Sequence, residues 1–251
     1  MRKKEKDSVQ DKKPRKLGPE LDFASAEAYN LLRTNVCFSM PAKKGGKIIG
    51  TTSPCAQEGK SFTTINLAYS LAEAGNKVIL IDGDMRRPSV SSYLGKPVSP
   101  GLSNLLVENV LNLHQGILHP NLTVLTTGDT PPNPSELIGS ERMRSVLESF
   151  SQKFDYVLVD LPPVTAVSDA LAVSKYLDGI VVVVRHGRTR RSDISETIRR
   201  LRFVQVHILG FVYNAYSKSG GKYYKYHSDK YSRYYSSDYY KEKKVPESSD
   251  S

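Results

Sequence analysis

The sequence of 251 residues lacks tryptophan and contains only two cysteines, Cys37 and Cys55. Two cysteines are too few for a disulfide framework or a structural zinc site. Long apolar runs are also missing, because the longest dense one, at 179–184, is far shorter than the roughly 18 residues that a membrane-spanning helix needs. No apolar stretch of a secretory signal follows the basic N-terminus, so we expect a cytoplasmic protein.

Positive charge is in clear excess, with a formal net charge of +10 beside 39% hydrophobic residues. This composition can build a core and favours acidic partners, namely a nucleotide, a nucleic acid or an anionic membrane surface. Residues 1–20 contain eight Lys or Arg and four Asp or Glu. We interpret residues 1–20 as a basic mobile arm that is either solvated or in contact with an anionic membrane surface.

Strand and helix patterns alternate over residues 21–216, which we predict to form one α/β domain. Continuous Val, Ile and Leu strands between helices are typical of a mostly parallel sheet that helices cover on both faces. The tail at 217–251 has no such pattern and is predicted to be disordered. The predicted strands are Lys47–Thr52, Lys77–Asp82, Leu122–Thr127, Tyr156–Asp160, Gly179–Val184 and Val206–Asn214, and the predicted helices are Ser61–Ala74, Ser135–Phe150, Ser168–Tyr176 and Arg191–Phe203.

A phosphate-binding loop is indicated between the first strand and its helix, where the sequence reads SPCAQEGKS over Ser53–Ser61. At such a turn, backbone N–H groups and the helix N-terminus can surround phosphates. Lys60 would reach the β- and γ-phosphates of ATP, and Ser61 would bind Mg²⁺. The full P-loop pattern is not met, since Pro54 stands at its first glycine.

Three aspartates support this prediction because each follows or ends a buried strand. Asp82 and Asp84 lie at the end of the second strand, and Asp160 ends the strand before two prolines. The carboxyl ends of parallel strands share one edge of a sheet, so these acids should converge on the loop. Carboxylates close to bound phosphates are expected around Mg²⁺.

These segments together resemble the bacterial tyrosine kinases of capsular and exopolysaccharide synthesis, a P-loop family related to the MinD/ParA ATPases. The family's three nucleotide motifs correspond to AQEGKS (Ala56–Ser61), ILIDGDMR (Ile79–Arg86) and VLVDLPP (Val157–Pro163). PPNPSEL (Pro131–Leu137), EAYNLLRTN (Glu27–Asn35) and the tyrosine-rich end also match family segments.

The resemblance implies a kinase that uses ATP and Mg²⁺ to phosphorylate its own C-terminal tyrosines. Asp82 would accept the tyrosine proton, and Asn214 would contact the adenine, although a plain strand-end Asn is an open alternative. The implied catalytic residues are Lys60, Asp82 and Asp84; the implied ATP contacts are Glu58, Gly59, Lys60, Ser61, Phe62 and Asn214; the implied metal ligands are Ser61, Asp82, Asp84 and Asp160.

The sequence departs from the family pattern in two places. Ala56-Gln57 replaces Pro-Gly in the P-loop, so we expect a distorted phosphate site or weaker ATP binding. The self-association motif E-x-x-R-x-x-R keeps Glu27 and Arg33 but has Asn30 at its first arginine. Cys55 stands where MinD/ParA proteins carry their signature lysine, which argues against that branch.

The tail joins eight tyrosines to eight Lys or Arg and five Asp or Glu, with no aliphatic residue among the tyrosines. We predict that these tyrosines are phosphate acceptors, because the last parallel strand ends at the edge that carries the P-loop. A nucleic-acid-binding arm and an inert solubilising tail are the alternatives. The predicted acceptors are Tyr223, Tyr224, Tyr226, Tyr231, Tyr234, Tyr235, Tyr239 and Tyr240.

The resemblance also implies partners. These are a separate transmembrane activator that regulates polysaccharide chain length, further copies of the chain in a ring when it is unphosphorylated, and a cognate tyrosine phosphatase. Nucleic acid is not expected as a partner. Two other functions stay open, namely a MinD/ParA-like switch ATPase and a non-catalytic scaffold whose nucleotide site has decayed.

Overall fold

The computed structural model describes residues 16–40 and 43–215, whose centre is a sheet of seven strands in the order β3-β4-β2-β5-β1-β6-β7. All pairs are parallel except β3 with β4, so the prediction of a mostly parallel α/β fold is confirmed. The strands are β1 (Lys47–Thr52), β2 (Val78–Asp82), β3 (His114–Gln115), β4 (Leu122–Leu125), β5 (Tyr156–Asp160), β6 (Gly179–Arg185) and β7 (Ile208–Asn214).

The central strands are apolar throughout because helices cover both of their faces. In β2, Ile79 and Ile81 join one hydrophobic cluster, while Val78 and Leu80 join the cluster on the opposite face. All four side chains are fully buried. This burial explains why the strands read as continuous Val, Ile and Leu runs rather than as an alternating pattern.

Eight α-helices are present in the described residues, and Arg191–Phe203 is the one whose predicted bounds are correct at both ends. The predicted helix Ser135–Phe150 is wrong in one respect, since it divides at Gly139-Ser140. Ser140 caps the second part by accepting a hydrogen bond from the Met143 N–H. The helices are α1 (Phe23–Ser39), α2 (Lys60–Glu73), α3 (Val90–Leu94), α4 (Leu102–Glu108), α5 (Pro134–Ile138), α6 (Glu141–Ser151), α7 (Asp169–Ser174) and α8 (Arg191–Phe203).

The first described residues pack against the domain. Leu17 is buried, and the Gly18 N–H donates to Asn66 Oδ1 in α2 at 2.8 Å. The packed part of the chain therefore includes residues that the sequence prediction places in the basic arm. Within residues 16–40 and 43–215, none of the helices combines the length and the apolar character needed to cross a bilayer.

The strand order brings the predicted site residues to one edge. Strands β2, β5 and β1 are neighbours, and Asp82 is paired in register with Asp160 across β2 and β5. Asp160 is also in register with Thr51 of β1, immediately before the loop that leads to α2. The two acids and the P-loop consequently lie side by side.

Candidate active site

The P-loop leads directly into α2, which begins at Lys60. Gly59 precedes this helix in a left-handed conformation, with φ of 94°. A Cβ atom on Gly59 would lie 2.0 Å from the Asn214 side-chain nitrogen, so another residue here would strain the backbone and displace the Asn214 side chain.

Lys60 is the cation at the centre of the site. Its Nζ lies 2.8 Å from Asp84 Oδ2 and 3.3 Å from Asp160 Oδ2, and its side chain is only 11% exposed. Burial alone would lower the pKa of Lys60, but Asp160 and Asp84 outweigh burial and raise this pKa above its usual range. Lys60 therefore remains an ammonium group that neutralises buried carboxylates.

Asp82 and Asp160 share a region with little solvent, and both are fully buried. Burial, followed by the charge of Asp160, raises the pKa of Asp82 to about 7. Burial likewise raises the pKa of Asp160, although Lys60 and Ser61 act in the opposite direction. Asp82 accepts hydrogen bonds from the N–H groups of Val90 at 3.1 Å and Asp84 at 3.3 Å, which fix its carboxyl group. A buried aspartate that titrates near neutral pH has the acidity of a general base.

Hydroxyl groups surround Asp160. Ser61 Oγ donates to Asp160 Oδ2 at 2.5 Å, and Thr64 Oγ1 lies 3.4 Å from Asp160 Oδ1. Ser89 Oγ donates in turn to Ser61 Oγ at 2.7 Å. Sequence reasoning missed Ser89 and Thr64, since neither belongs to a motif. The position of Thr64 one turn after Lys60 is a signal that could have identified it.

Two predicted ATP contacts have side chains engaged elsewhere. Glu58 is buried, with Oε2 accepting from the Cys55 N–H at 3.0 Å and Oε1 accepting from Thr189 Oγ1 at 2.5 Å. Burial raises the pKa of Glu58, against the effect of these two hydrogen bonds. The Phe62 ring packs toward Tyr93, with centroids 6.1 Å apart. Only the backbone of Glu58 therefore remains for a nucleotide in this arrangement.

Asn214 is the last residue of β7 and lies beside the P-loop. Its Nδ2 donates to the Glu58 carbonyl at 2.8 Å. This bond joins the edge strand to the phosphate loop. The role of Asn214 toward adenine stays a prediction.

Gln57 adopts a left-handed conformation, with φ of 64°. This is the type of backbone that a glycine supplies most easily, and the family pattern has glycine here. The Gln57 carbonyl accepts from Arg185 Nη1 at 3.0 Å. The substitution has therefore not removed the left-handed turn from the loop.

A further ion pair, between Arg86 and Asp169, supports the loop after β2. Arg86 donates to Asp169 Oδ2 at 2.9 Å through Nε and to Asp169 Oδ1 at 3.2 Å through Nη2. Ser135 Oγ donates to the same buried carboxylate, and Arg86 also donates to Ser135. The sequence motif included Arg86, but Asp169 and Ser135 could not be found from spacing. Their contacts fix the segment that carries Asp84.

The residues predicted for self-association form contacts within the chain. Arg33 Nη1 donates to the Ser70 carbonyl of α2 at 2.7 Å and to Ser70 Oγ at 3.1 Å. Asn30 accepts from Ser70 Oγ at 3.0 Å and donates to Glu27 at 3.0 Å. Arg33 is thus partly buried between α1 and α2, whereas Glu27 is exposed. The predicted acceptors Tyr223–Tyr240 lie outside the described residues.

Comparison with known proteins shows which family the chain resembles. The sequence profile of a family described as ParA, NUBPL iron-transfer P-loop NTPase, matches residues 47–245. Tyrosine-protein kinase YwqD of Bacillus subtilis is 34% identical over 209 residues, which are 82% of this chain and 87% of that protein. The crystal structure of the chimerical protein CapA2B2 has a TM-score of 0.72 and 31% identity, covering 76% of this chain and 85% of that chain.

The lengths of the relatives differ. Tyrosine-protein kinase ptk of Acinetobacter johnsonii is 34% identical over 205 residues, but the chain spans only 28% of its length. The chain is a P-loop protein that binds nucleotide, and the family prediction from its three motifs is confirmed. It belongs to the bacterial tyrosine kinases of capsular and exopolysaccharide synthesis.

Proposed function

We propose that this protein transfers the γ-phosphoryl group of ATP to its C-terminal tyrosines and thereby regulates surface polysaccharide synthesis. The convergence of Lys60, Asp82, Asp84 and Asp160 beside a P-loop carries this proposal. The tail supplies eight phenolic acceptors, from Tyr223 to Tyr240. Phosphoryl transfer needs mainly positioning and charge stabilisation, which this set of residues can provide.

The chemical roles follow from the contacts. Asp82 would take the proton from the tyrosine hydroxyl, since burial holds its pKa near 7. When ATP binds, Lys60 would exchange its contacts with Asp84 and Asp160 for contacts with the β- and γ-phosphates, where its charge stabilises the transferring group. Backbone N–H groups of Glu58 and Gly59 would contact the phosphates through the loop and the start of α2.

The donor set fits Mg²⁺ as a cofactor that binds together with the nucleotide. Ser61 Oγ and the Asp160 carboxylate lie within hydrogen-bond distance, and both offer oxygen. Among the residues that the structure describes, no group of three or more His, Cys, Asp or Glu could hold a metal alone. Mg²⁺ typically takes one or two carboxylates plus phosphate oxygens and water, and when bound it would neutralise the developing phosphate charge. Asp82 and Asp84 would supply further carboxylate oxygens beside the Mg²⁺ ion.

The setting of this activity is also proposed. A separate transmembrane activator would hold the kinase at the inner face of the membrane, and the crystallised CapA2B2 chimera, a related chain, supports such a pairing. Unphosphorylated copies would assemble into a ring with the help of Glu27 and Arg33. A tyrosine phosphatase would reverse the modification, and nucleic acid is not a partner.

Incubation with Mg-ATP followed by detection of phosphotyrosine tests the proposal. The wild-type protein should acquire phosphotyrosine, Lys60→Met should not, and the exposed control Lys153→Met should match the wild type. ATP hydrolysis without phosphotyrosine would favour a switch ATPase instead. Failure to bind ATP would favour a scaffold.

A further inference from the structure

Side chains from β6, from the loop after β6 and from β7 form hydrogen bonds to the P-loop. Arg185 ends β6, Thr189 lies in the following loop, and Asn214 ends β7. Each donates a hydrogen bond to Gln57 or Glu58, at 3.0, 2.5 and 2.8 Å respectively. The Arg185 N–H also donates to Thr189 Oγ1 at 2.7 Å, which links the first two contacts. We call Arg185, Thr189 and Asn214 with the Glu58 side chain the P-loop latch.

The latch determines where two backbone N–H groups point. In a planar trans peptide, the carbonyl of one residue and the N–H of the next point in opposite directions. Because Arg185 holds the Gln57 carbonyl, the Glu58 N–H must point away from β6. Because Asn214 holds the Glu58 carbonyl, the Gly59 N–H must point away from β7. Both N–H groups are thereby turned away from the two strands, and backbone N–H groups before a helix N-terminus are the groups that contact phosphate in such a loop.

The latch also accounts for the left-handed Gln57. A non-glycine residue with positive φ is strained and persists only where its surroundings hold it. Here the Gln57 carbonyl is bound by Arg185, and the next side chain, Glu58, is buried and bound to Thr189 and to the Cys55 N–H. We propose that the latch is a positioning device that keeps the loop in its phosphate-binding shape before ATP arrives, in place of the glycine that the family pattern has at residue 57.

This inference rests on the proposed use of the P-loop for ATP, so the experiment separates the two. Mg-ATP affinity is measured by calorimetry for Thr189→Val, in which a methyl group replaces the hydroxyl. The variant loses the hydrogen bond to the Glu58 carboxyl group and also the one that Thr189 accepts from the Arg185 N–H. Loss of the bond that holds Glu58 corresponds to about tenfold weaker binding. The kcat at saturating ATP should change by less than about threefold, because the latch does not touch the reacting atoms. Thr189→Ser keeps the hydroxyl and should restore the affinity.

The decisive comparison adds Gln57→Gly. A glycine needs no external support at positive φ, so the affinity lost in Thr189→Val should be largely recovered in the Gln57→Gly/Thr189→Val double variant. Gln57→Gly alone should change affinity by less than about threefold, since the loop of the wild type is already held. Unfolding temperature without nucleotide is recorded for each variant, so that general destabilisation is recognised.

Arg185→Met provides a second test. Its control is Arg191→Met, which removes an exposed positive charge at the start of α8. Only Arg185→Met should weaken Mg-ATP binding, and Gln57→Gly should again reduce the loss. Wild-type affinity in Thr189→Val, or an equal loss with Gln57 and with Gly at that position, would overturn the latch. If Lys60→Met also left ATP binding unchanged, the proposed nucleotide site itself would be wrong.

Discussion

Replacing Asp82 with asparagine should make the nucleotide-free protein more stable at pH 8 while it removes most kinase activity. In the folded protein burial raises the pKa of Asp82 from 3.8 to about 7. The folded state therefore keeps this proton to higher pH than the unfolded state does. Stability is lost as the pH rises between these two values, because the unfolded state releases this proton while the folded state still holds it. Above pH 7 the carboxylate also ionises inside the protein, beside Asp160, and the loss is complete.

The size of the effect follows from the difference between the two pKa values. At 1.36 kcal/mol for each pKa unit, the ionised Asp82 costs the folded state about 4 kcal/mol at pH 8. An asparagine has one acceptor oxygen, which can accept from the N–H of Val90 or of Asp84, and its contact with the other N–H is weakened. This weaker contact reduces the gain in stability by about 1 kcal/mol. We expect a net gain of about 3 kcal/mol, or roughly 6 to 12 °C in unfolding temperature for a domain of this size.

The assay is thermal or urea unfolding of wild type and Asp82→Asn, without nucleotide or Mg²⁺, at pH 5 and pH 8. The gain should be about 3 kcal/mol at pH 8 and fall below about 1 kcal/mol at pH 5, because only the interval from 3.8 to 5 then counts against the protonated wild-type Asp82. Asp155→Asn, an exposed site that loses the same charge, should show no such dependence on pH. Equal gains at both pH values, or a loss at pH 8, would refute the assignment of a buried, neutral-pH carboxyl group. Activity should meanwhile fall by a factor of about 100 or more.

Three further outcomes are expected. Lys60→Met should abolish phosphotyrosine. It should also lower the free energy of unfolding by about 3 kcal/mol in urea titrations, because it leaves Asp84 and Asp160 without their cation. Unchanged stability would contradict that pairing. Gly59→Ala should weaken ATP binding, because its methyl group strains the backbone and displaces the Asn214 side chain from the Glu58 carbonyl. Gly75→Ala has a similar φ in open space, so it should lower stability by about 1 kcal/mol and leave ATP binding intact. Equal binding in both variants would be the contrary result. Phosphorylation of Tyr223–Tyr240 adds roughly −1.5 to −2 charges for each tyrosine and should therefore dissociate assemblies of the chain. Light scattering at matched salt, before and after Mg-ATP, measures the size of the assembly. An assembly of the same size in both states would exclude dissociation by phosphorylation.

Much of the fold could be predicted because its signals are local. The apolar runs of β1, β2, β5 and β6 are visible in the sequence, and parallel topology alone brings Asp82 and Asp160 to one edge. The strand β3 is only two residues long, and α3 and α4 are five and seven residues long, so periodicity could not identify them. The break at Gly139-Ser140 was missed because its capping serine lies inside one continuous helical pattern.

The site was harder to predict in its contacts than in its motifs. The motifs identified Lys60 and its three acids, but they did not indicate that Lys60 is paired with carboxylates inside the protein. The partners of Gln57 and Glu58 come from β6 and β7, more than a hundred residues further along the chain. Such long-range contacts depend on the packing of side chains, which a single sequence does not encode in any spacing.

The intact mass of the purified protein after incubation with Mg-ATP tests the central claim most directly. The account predicts that several phosphoryl groups are added to the wild-type chain and that peptide mapping locates them between Tyr223 and Tyr240. It predicts none on Lys60→Met and a full set on Lys153→Met. A wild-type mass that stays unchanged, with ATP bound and Mg²⁺ and the activator supplied, would contradict the kinase assignment.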